Sequence, residues 1–288
     1  MKRVLITGGR GMLATDLAAR FSSSGRYQVH LLSHEDLDVT DAARVSEAVA
    51  GLKPDAVIHT AALHVDACEE SPAGAFRVNS WATRTIALAC QRHHSALVYV
   101  STCGLFGDER KAYTEYDPVV LKTVYARSKY EGEVLTRQFC ERHFIVRPGW
   151  LFGGSVHHAK NFVVKRYEEA QKAPVVRSAF DKHGSPTYTA DLALGIGSLL
   201  ETHEYGTYHL ANQGGCTRAE YVRRIIACFG LSTRVEEVDS GFYPRKADVP
   251  ACEILEGLNV RFLGLAGLPG WEDAVERYIR MIKPEVEG

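Results

Sequence analysis

The sequence has little that points to a secreted, membrane-bound or polyanion-binding protein. Its 288 residues include 34 Lys and Arg against 35 Asp and Glu, so the formal net charge is −1. This balance does not favour nucleic acid or an anionic membrane as a partner. No stretch reaches the roughly 18 consecutive apolar residues of a membrane-spanning helix. The first residues lead directly into a strand-like segment without a secretory leader, so we expect a cytoplasmic protein.

Cysteine is also used in a way that excludes several kinds of site. The seven cysteines are odd in number and scattered along the chain, and none forms a CxxC pair. This pattern is typical of reduced thiols rather than of a disulfide framework. The neighbouring histidines His93-His94 and His157-His158 lack a third ligand at metal spacing, so we expect no metal site.

What the sequence does have is an alternation of short apolar runs and longer helical stretches, which predicts a doubly wound α/β fold with a parallel sheet. The predicted strands are Arg3–Thr7, Gln28–Leu32, Ala56–Thr60, Leu97–Ser101 and Phe144–Arg147. The predicted helices between them are Leu13–Ser22, Asp41–Gly51, Pro72–His93 and Tyr125–His143. Runs that are apolar throughout indicate strands buried on both faces.

The rhythm changes after Trp150, where Gly and Pro become frequent and the strands become short, as at Val175–Val176 and Tyr208–Leu210. Residues 219–229 form an amphipathic pattern that ends at Gly230. We therefore expect a Rossmann domain over residues 1–150 and a smaller mixed α/β lobe over residues 151–288 that mainly binds substrate. A stretch near 175–202 is expected to return to the first domain.

The first strand runs into Thr7-Gly8-Gly9-Arg10-Gly11-Met12-Leu13-Ala14 and then into a helix. In this position Gly8 permits a tight turn, Gly11 lets the backbone approach a pyrophosphate, and the helix N-terminus supplies amide groups. The pattern predicts a dinucleotide site. A simple structural turn is the other interpretation, since turns use glycine freely.

The second strand ends at Ser33 without an acidic residue at its tip, where NAD-binding proteins place a carboxylate for the ribose 2′-hydroxyl. This absence, together with Arg10 in the loop, favours NADP(H) over NAD(H). Glu35 and Asp36 lie close by in the sequence and would favour the opposite choice.

The fourth predicted strand ends in Ser101-Thr102, at the edge where open α/β sheets bind ligands, and Tyr125 and Lys129 follow at helical i, i+4 spacing. A positive charge ~4 Å from the phenol at an effective dielectric of ~20 contributes about 4 kcal/mol, which would lower the pKa of Tyr125 by about 3. We therefore expect Thr102 to bind a substrate carbonyl and Tyr125 to deliver a proton to it. A lone YxxxK on a solvated helix would be coincidental, but here it follows the glycine loop and the Ser-Thr strand end in order.

Together these elements resemble the extended short-chain dehydrogenase/reductase family, and within it the dTDP-4-dehydrorhamnose reductase branch. The resemblance covers nearly the whole chain, and its more discriminating stretches are RPGWLFG at Arg147–Gly153, NFV at Asn161–Val163 and DKHGSPTYTADLA at Asp181–Ala193. It implies reduction of a 4-keto group on a nucleotide-diphosphate deoxysugar. The residues that it and the motifs assign to the dinucleotide are Gly8, Arg10, Gly11, Met12, Leu13, Ser33, Asp38, Val39, Ala61, Ala62, Leu63, Asn79, Ser101, Tyr125 and Lys129. Those assigned to the sugar nucleotide are Cys103, Gly104, Trp150 and Asn161.

The chain departs from this branch after the catalytic Thr, where the branch usually carries Asp-Tyr and this chain has Cys103-Gly104. A different 4-keto-6-deoxy sugar, or another diphosphate sugar, is therefore an alternative to the rhamnose precursor. Two other functions stay open: a sugar-nucleotide epimerase, and a non-catalytic NADP-binding regulatory subunit of the same fold. The expected partners are a nucleotide-diphosphate sugar and a second copy of the chain in a homodimer, with no nucleic acid and no membrane.

Overall fold

The computed structural model describes the whole chain, residues 1–288. Its strands are β1 Lys2–Thr7, β2 Tyr27–Leu32, β3 Ala56–His59, β4 Ala96–Val100, β5 His143–Arg147, β6 Trp150–Phe152, β7 Val175–Ala179, β8 His183–Gly184, β9 Pro186–Tyr188, β10 Gly206–His209, β11 Cys216–Thr217, β12 Arg234–Val238 and β13 Cys252–Glu253. Its α-helices are α1 Met12–Ser23, α2 Ala42–Leu52, α3 Val65–Glu70, α4 Pro72–Phe76, α5 Ala82–Arg92, α6 Val124–Phe139, α7 Phe162–Lys172, α8 Thr189–Thr202, α9 Arg218–Phe229, α10 Leu258–Phe262 and α11 Trp271–Glu287.

Six strands form one parallel sheet in the order β10-β5-β4-β3-β1-β2. Apolar side chains of α1 and α8 cover one face, and those of α2 and α5 cover the other. This confirms the predicted doubly wound α/β fold. Because β2 lies on one side of β1 and β3 lies on the other, the direction of winding reverses between β1 and β3, where such folds bind ligands.

The prediction of one continuous helix over 72–93 is wrong. A short helix, α4, is followed by a π-helical turn at Arg77–Trp81 before α5 begins. The predicted end of α6 at His143 is also wrong, since Cys140 is extended and His143 already begins β5. In both cases tertiary packing overrides the local pattern.

A second core forms from α7, α9 and α11 around aromatic side chains that include Phe152 and Tyr278. Short strand pairs border it: β6 pairs with β9, β7 with β12, and β8 with both β11 and β13. Helix α9 begins with a capping box formed by Thr217 and Glu220 and ends at Gly230, which has a φ of 75°.

The chain returns from this second core to the first. Strands β7 to β9 border the second core, whereas α8 packs against α1 and β10 adds a sixth strand beside β5. The two cores thus share chain segments. No helix combines the length and the apolar character that crossing a membrane requires.

Candidate active site

The phosphate loop lies at the carboxyl end of β1, where the sheet changes its winding direction. Gly8 has a φ of +73°, and a Cβ at this position would lie 2.9 Å from the backbone nitrogen of Ala61. The neighbouring segment after β3 therefore approaches closely only because residue 8 is glycine. Gly11 precedes α1 in an extended conformation, and no side chain caps this helix. The amide groups of its first turn are thus available to an anion.

An open cleft of about 510 Å³ begins at this loop. Eight of the residues expected at the dinucleotide line it: Gly8, Arg10, Gly11, Met12, Asp38, Val39, Ala61 and Ala62. The segment His158–Lys160 also lines this cleft. No helical or strand pattern in the sequence places this segment at the cleft, so sequence reasoning missed Lys160.

Besides Tyr125 and Lys129, five other predicted cofactor residues do not line this cleft: Leu13, Ser33, Leu63, Asn79 and Ser101. Leu13 is buried in the core beneath the loop, and the Ser33 hydroxyl donates to Glu35 and Asp36. The fully buried Asn79 accepts a hydrogen bond from the backbone N–H of Leu63 at 2.8 Å. It also donates to Ser128 on α6 at 3.0 Å, so it connects the cleft wall to the catalytic helix.

The fifth of these residues, Ser101, belongs to a buried polar network. Its hydroxyl donates to Glu133 at 2.6 Å, and Arg147 donates to both oxygens of the same carboxylate, at 2.8 and 2.7 Å. The Arg147 and Glu133 side chains are 5% and 0% exposed, so each charge depends on the other. The network fixes the end of β4 against α6.

The part of the cleft beside Arg10 and Asp38, where we expect the adenine, is called the adenine end. It carries more acidic side chains than the residues at the end of β2 predict. Arg10 is paired with Glu35 at 2.5 Å, and both side chains are largely exposed. Hydrogen bonds from Ser33 lower the pKa of Glu35 and of Asp36, so both carboxylates are charged at neutral pH. The Asp38 carboxylate accepts hydrogen bonds from the N–H and hydroxyl of Thr40. A 2′-phosphate would therefore have to compete with Glu35 for Arg10.

Thr102 and Tyr125 lie together at the end of β4. Thr123 caps α6 by accepting a hydrogen bond from Ala126 N–H at 3.0 Å, which places Tyr125 in the first turn. The Thr102 oxygen accepts the Gly104 N–H at 3.0 Å, and this contact orients the hydroxyl. Burial raises the pKa of Tyr125, and a hydrogen bond with Thr102 offsets part of this rise. The phenol is therefore protonated at neutral pH.

Lys129, which we expect to lower the pKa of Tyr125, contacts residues of β4 in this structure. Its Nζ donates to the carbonyl oxygen of Val100 at 2.7 Å and lies 4.2 Å from the ring centroid of Tyr99. The side chain is 2% exposed, and burial lowers its pKa to about 7. Lys129 lies at the expected edge of the sheet, and its effect on the pKa of the phenol stays a prediction.

The end of the site that we expect to bind the sugar, called the sugar end below, is formed around Trp150. Its indole N–H donates to Glu253 Oε2 at 2.7 Å, and the Arg218 guanidinium lies 3.4 Å from its ring centroid. Cys103 lies next to Thr102 and its thiol donates to Glu253 Oε1 at 3.6 Å. Sequence reasoning missed Glu253 and Arg218, because the contact with Trp150 joins residues 103 positions apart and neither residue belongs to a local motif.

Asn161 does not face this site. It is 1% exposed, caps α7 through Val164 N–H, and donates to the Ser155 carbonyl and to the Tyr278 hydroxyl. Both of its amide hydrogens are used inside the protein, so it holds the segment 155–161 in place. A cavity of about 660 Å³ lies elsewhere, between the segments 110–112 and 254–268, and none of the catalytic side chains lines it.

Comparisons with known proteins agree with this geometry. The sequence profile of the family described as "RmlD substrate binding domain" matches residues 1–283. The spore coat polysaccharide biosynthesis protein SpsK of Bacillus subtilis is 32% identical over 97% of this chain and 98% of its own length. The dTDP-4-dehydrorhamnose reductase of Streptomyces griseus is 34% identical over 95% of this chain and 91% of its own length.

Among solved structures, dTDP-4-dehydrorhamnose reductase from Bacillus anthracis in complex with NADP superposes with a TM-score of 0.93. It is 31% identical, and the match covers 97% of this chain and 99% of that one. The predicted resemblance is confirmed over nearly the full length: the chain belongs to the RmlD substrate binding domain family, with the fold of the extended short-chain dehydrogenases.

Proposed function

We propose that the protein reduces the 4-keto group of a nucleotide-diphosphate deoxysugar with NADPH, with NAD(H) as the alternative cofactor. The observation that carries the proposal is the placement of the Thr102 hydroxyl beside a protonated Tyr125, at the sheet edge next to the glycine-lined cleft. The reductase names of the relatives and the NADP in one structural neighbour support it.

The residues present fit a dinucleotide. At Gly8 a Cβ would occupy the space into which the backbone of Ala61 packs, and the uncapped start of α1 offers amide groups to a pyrophosphate. Lys160 would add a positive charge in the same cleft. When bound in reduced form, the nicotinamide supplies the hydride.

The chain's own residues then manage the developing negative charge on the keto oxygen. With substrate bound, the Thr102 hydroxyl, which Gly104 N–H orients, donates a hydrogen bond to this oxygen in place of its contact with Tyr125. Tyr125 is the general acid: its raised pKa keeps the proton on the phenol until the oxygen becomes basic enough to take it. Lys129, held at Val100, places a second donor beside the same sheet edge.

The test is NADPH oxidation across a panel of 4-keto-sugar nucleotides by the wild type and Tyr125→Phe. Removing the phenolic proton should lower kcat by about 10²- to 10⁴-fold, while the dissociation constant of NADPH stays within about twofold. Tyr116→Phe is the matched control, because Tyr116 is 69% exposed and bonds only to Asn259.

The same assay separates the alternatives. An epimerase would carry a tightly bound nicotinamide and interconvert two sugars without net consumption of NADPH. A regulatory subunit would bind NADPH and leave every keto sugar unreduced, with no difference between the wild type and Tyr125→Phe. Either outcome would overturn the reductase proposal.

We further propose that residues 1–150 mainly bind the dinucleotide and that residues 151–288 mainly bind the sugar nucleotide. A cytoplasmic location is proposed because all seven cysteines are free, as expected in a reducing compartment. A homodimer is proposed through the surface that exposes Trp81 and Phe76, which are 60% and 39% exposed. Light scattering of the wild type and of Trp81→Asp measures this association.

A further inference from the structure

Glu253 at the sugar end of the site has no cationic partner within ion-pair distance, unlike the buried Glu133. It reaches the site from β13, in a part of the chain that carries no catalytic motif. Its Oε2 atom accepts the Trp150 indole N–H at 2.7 Å. This single strong hydrogen bond orients the carboxylate and leaves the other oxygen toward Cys103.

The second oxygen, Oε1, has only a weak partner. The Cys103 thiol donates to it at 3.6 Å, and burial raises the pKa of this thiol, so the thiol stays protonated. A thiol is a weak donor, and a carboxylate oxygen can accept more than one hydrogen bond. Oε1 is therefore the available acceptor at this end of the site.

Gly104 lies beside both this oxygen and the catalytic hydroxyl. A methyl group placed on Gly104 would lie 3.2 Å from Glu253 Oε1 and 3.5 Å from Thr102 Oγ1, so it would touch both. The carboxylate oxygen and the carbonyl-binding hydroxyl are thus close neighbours on the same side of residue 104. A ligand whose carbonyl oxygen meets Thr102 would bring a neighbouring polar group toward Glu253.

The positive charge of Arg218 influences which kind of ligand group Glu253 can bind. Its guanidinium is stacked on the same indole ring that binds Glu253, and the attraction of Glu253 is the largest influence that raises its pKa against the effect of burial. Part of the carboxylate charge is therefore already balanced, which favours a neutral hydroxyl donor over an ammonium group.

We propose that Glu253 contacts the substrate, its Oε1 accepting a hydrogen bond from the sugar hydroxyl on the carbon next to the reacting carbonyl. This proposal rests on the proposed ketoreductase function, because Thr102 defines where the carbonyl lies. It makes Glu253 a specificity-determining residue: sugars that lack this hydroxyl leave the carboxylate oxygen without its best donor.

A purely structural role predicts something different. If Glu253 only positioned Trp150, its removal would weaken all sugar nucleotides by the same factor. A direct contact predicts that removal weakens only those sugars that carry the hydroxyl. A double-mutant cycle separates the two roles, because it combines removal of the Glu253 carboxylate with removal of the sugar hydroxyl.

The experiment measures dissociation constants by calorimetry on the NADP⁺-loaded protein. The two ligands are a thymidine-diphosphate-linked 6-deoxyhexose and its 3-deoxy counterpart, and the variants are Glu253→Ala and Glu253→Gln. We expect the wild type to prefer the hydroxylated sugar by about 10- to 100-fold, as for a hydrogen bond to a charged group. The preference should fall to about onefold in Glu253→Ala and be intermediate in Glu253→Gln.

Glu256→Gln is the matched control, since Glu256 lies three positions further along and pairs with Arg261 outside the site. An unchanged preference in Glu253→Ala, or a wild type that does not distinguish or does not bind the two sugars, would overturn the assignment. Binding does not require turnover, so failure of the reductase proposal appears separately, as wild-type protein that binds both sugars but never oxidises NADPH.

Discussion

The dinucleotide end of the cleft is built from backbone and small side chains, whereas the sugar end is built from long polar side chains. At the first end Gly8 and Ala61 allow two loops to touch, and these two loops follow neighbouring strands of the sheet. At the second end Trp150, Arg218 and Glu253 come from three separated parts of the chain. The geometry of the dinucleotide end follows from the backbone of the fold. The sugar end is formed by individual side chains, so substitutions can change it one residue at a time.

A substitution at the dinucleotide end, where backbone atoms form the site, should produce the largest effect. In Gly8→Ala the new Cβ would lie 2.9 Å from Ala61 N at a φ that disfavours any side chain. We expect the affinity for NADPH to fall by more than about 100-fold, and unfolding to require about 1–3 kcal/mol less free energy.

Gly25→Ala is its matched control, because Gly25 has a φ of +66° with nothing within 4 Å of its added Cβ. The Gly25→Ala variant has similar backbone strain, but its new Cβ does not approach any neighbouring atom closely. Equal loss of NADPH affinity in both variants, measured by fluorescence titration, would contradict the role of the Gly8–Ala61 approach.

The catalytic lysine between the two ends offers a test through stability. Burial moves the pKa of Lys129 from 10.5 to about 7, which corresponds to about 5 kcal/mol between its two protonation states. Below pH 7 the folded protein bears the full cost of a buried charge. Between about pH 7 and 10.5 the unfolded chain binds the extra proton, so this cost falls and stability rises with pH.

Lys129→Met should therefore be more stable than the wild type at pH 6, by about 2–4 kcal/mol, and this gain should disappear toward pH 10.5 while activity is lost. Denaturant unfolding at several pH values measures the difference. Lys172→Met, at an exposed position, should show no pH-dependent gain. A gain that does not change with pH would mean that burial does not lower the pKa of Lys129 below its value in the unfolded chain.

The smallest effect is expected at the adenine end, where side chains rather than backbone decide the choice of cofactor. Glu35 occupies Arg10 and carries a negative charge where a 2′-phosphate would lie. Glu35→Gln should raise the preference for NADPH over NADH by about three- to tenfold in kcat/KM, and salt should reduce this gain. Glu47→Gln, on the exposed face of α2, should leave the preference unchanged. If Glu35→Gln also leaves it unchanged, Arg10 does not bind the phosphate.

The contrast between the two ends also explains what the sequence could predict. The strand, loop and helix order fixes Gly8, Thr102 and Tyr125, because strand ends and the i, i+4 rule are local properties. The hydrogen bond of Lys129 to the Val100 carbonyl and the burial of its ammonium group could not be predicted, since both depend on tertiary packing. Glu253 and Arg218 could not be predicted, because only tertiary packing brings β13 and α9 to Trp150.

The return of α8 and β10 to the first core limits how the chain can be recombined. A graft that exchanges everything after residue 150 would remove the sixth strand and the helix that covers α1, leaving an open sheet edge beside β5. A new sugar pocket is better transplanted as separate loops and short strands, with 189–209 left in place. Evolution of sugar preference in this architecture would then proceed through replacements such as those at 104, 218 and 253 rather than through exchange of whole modules.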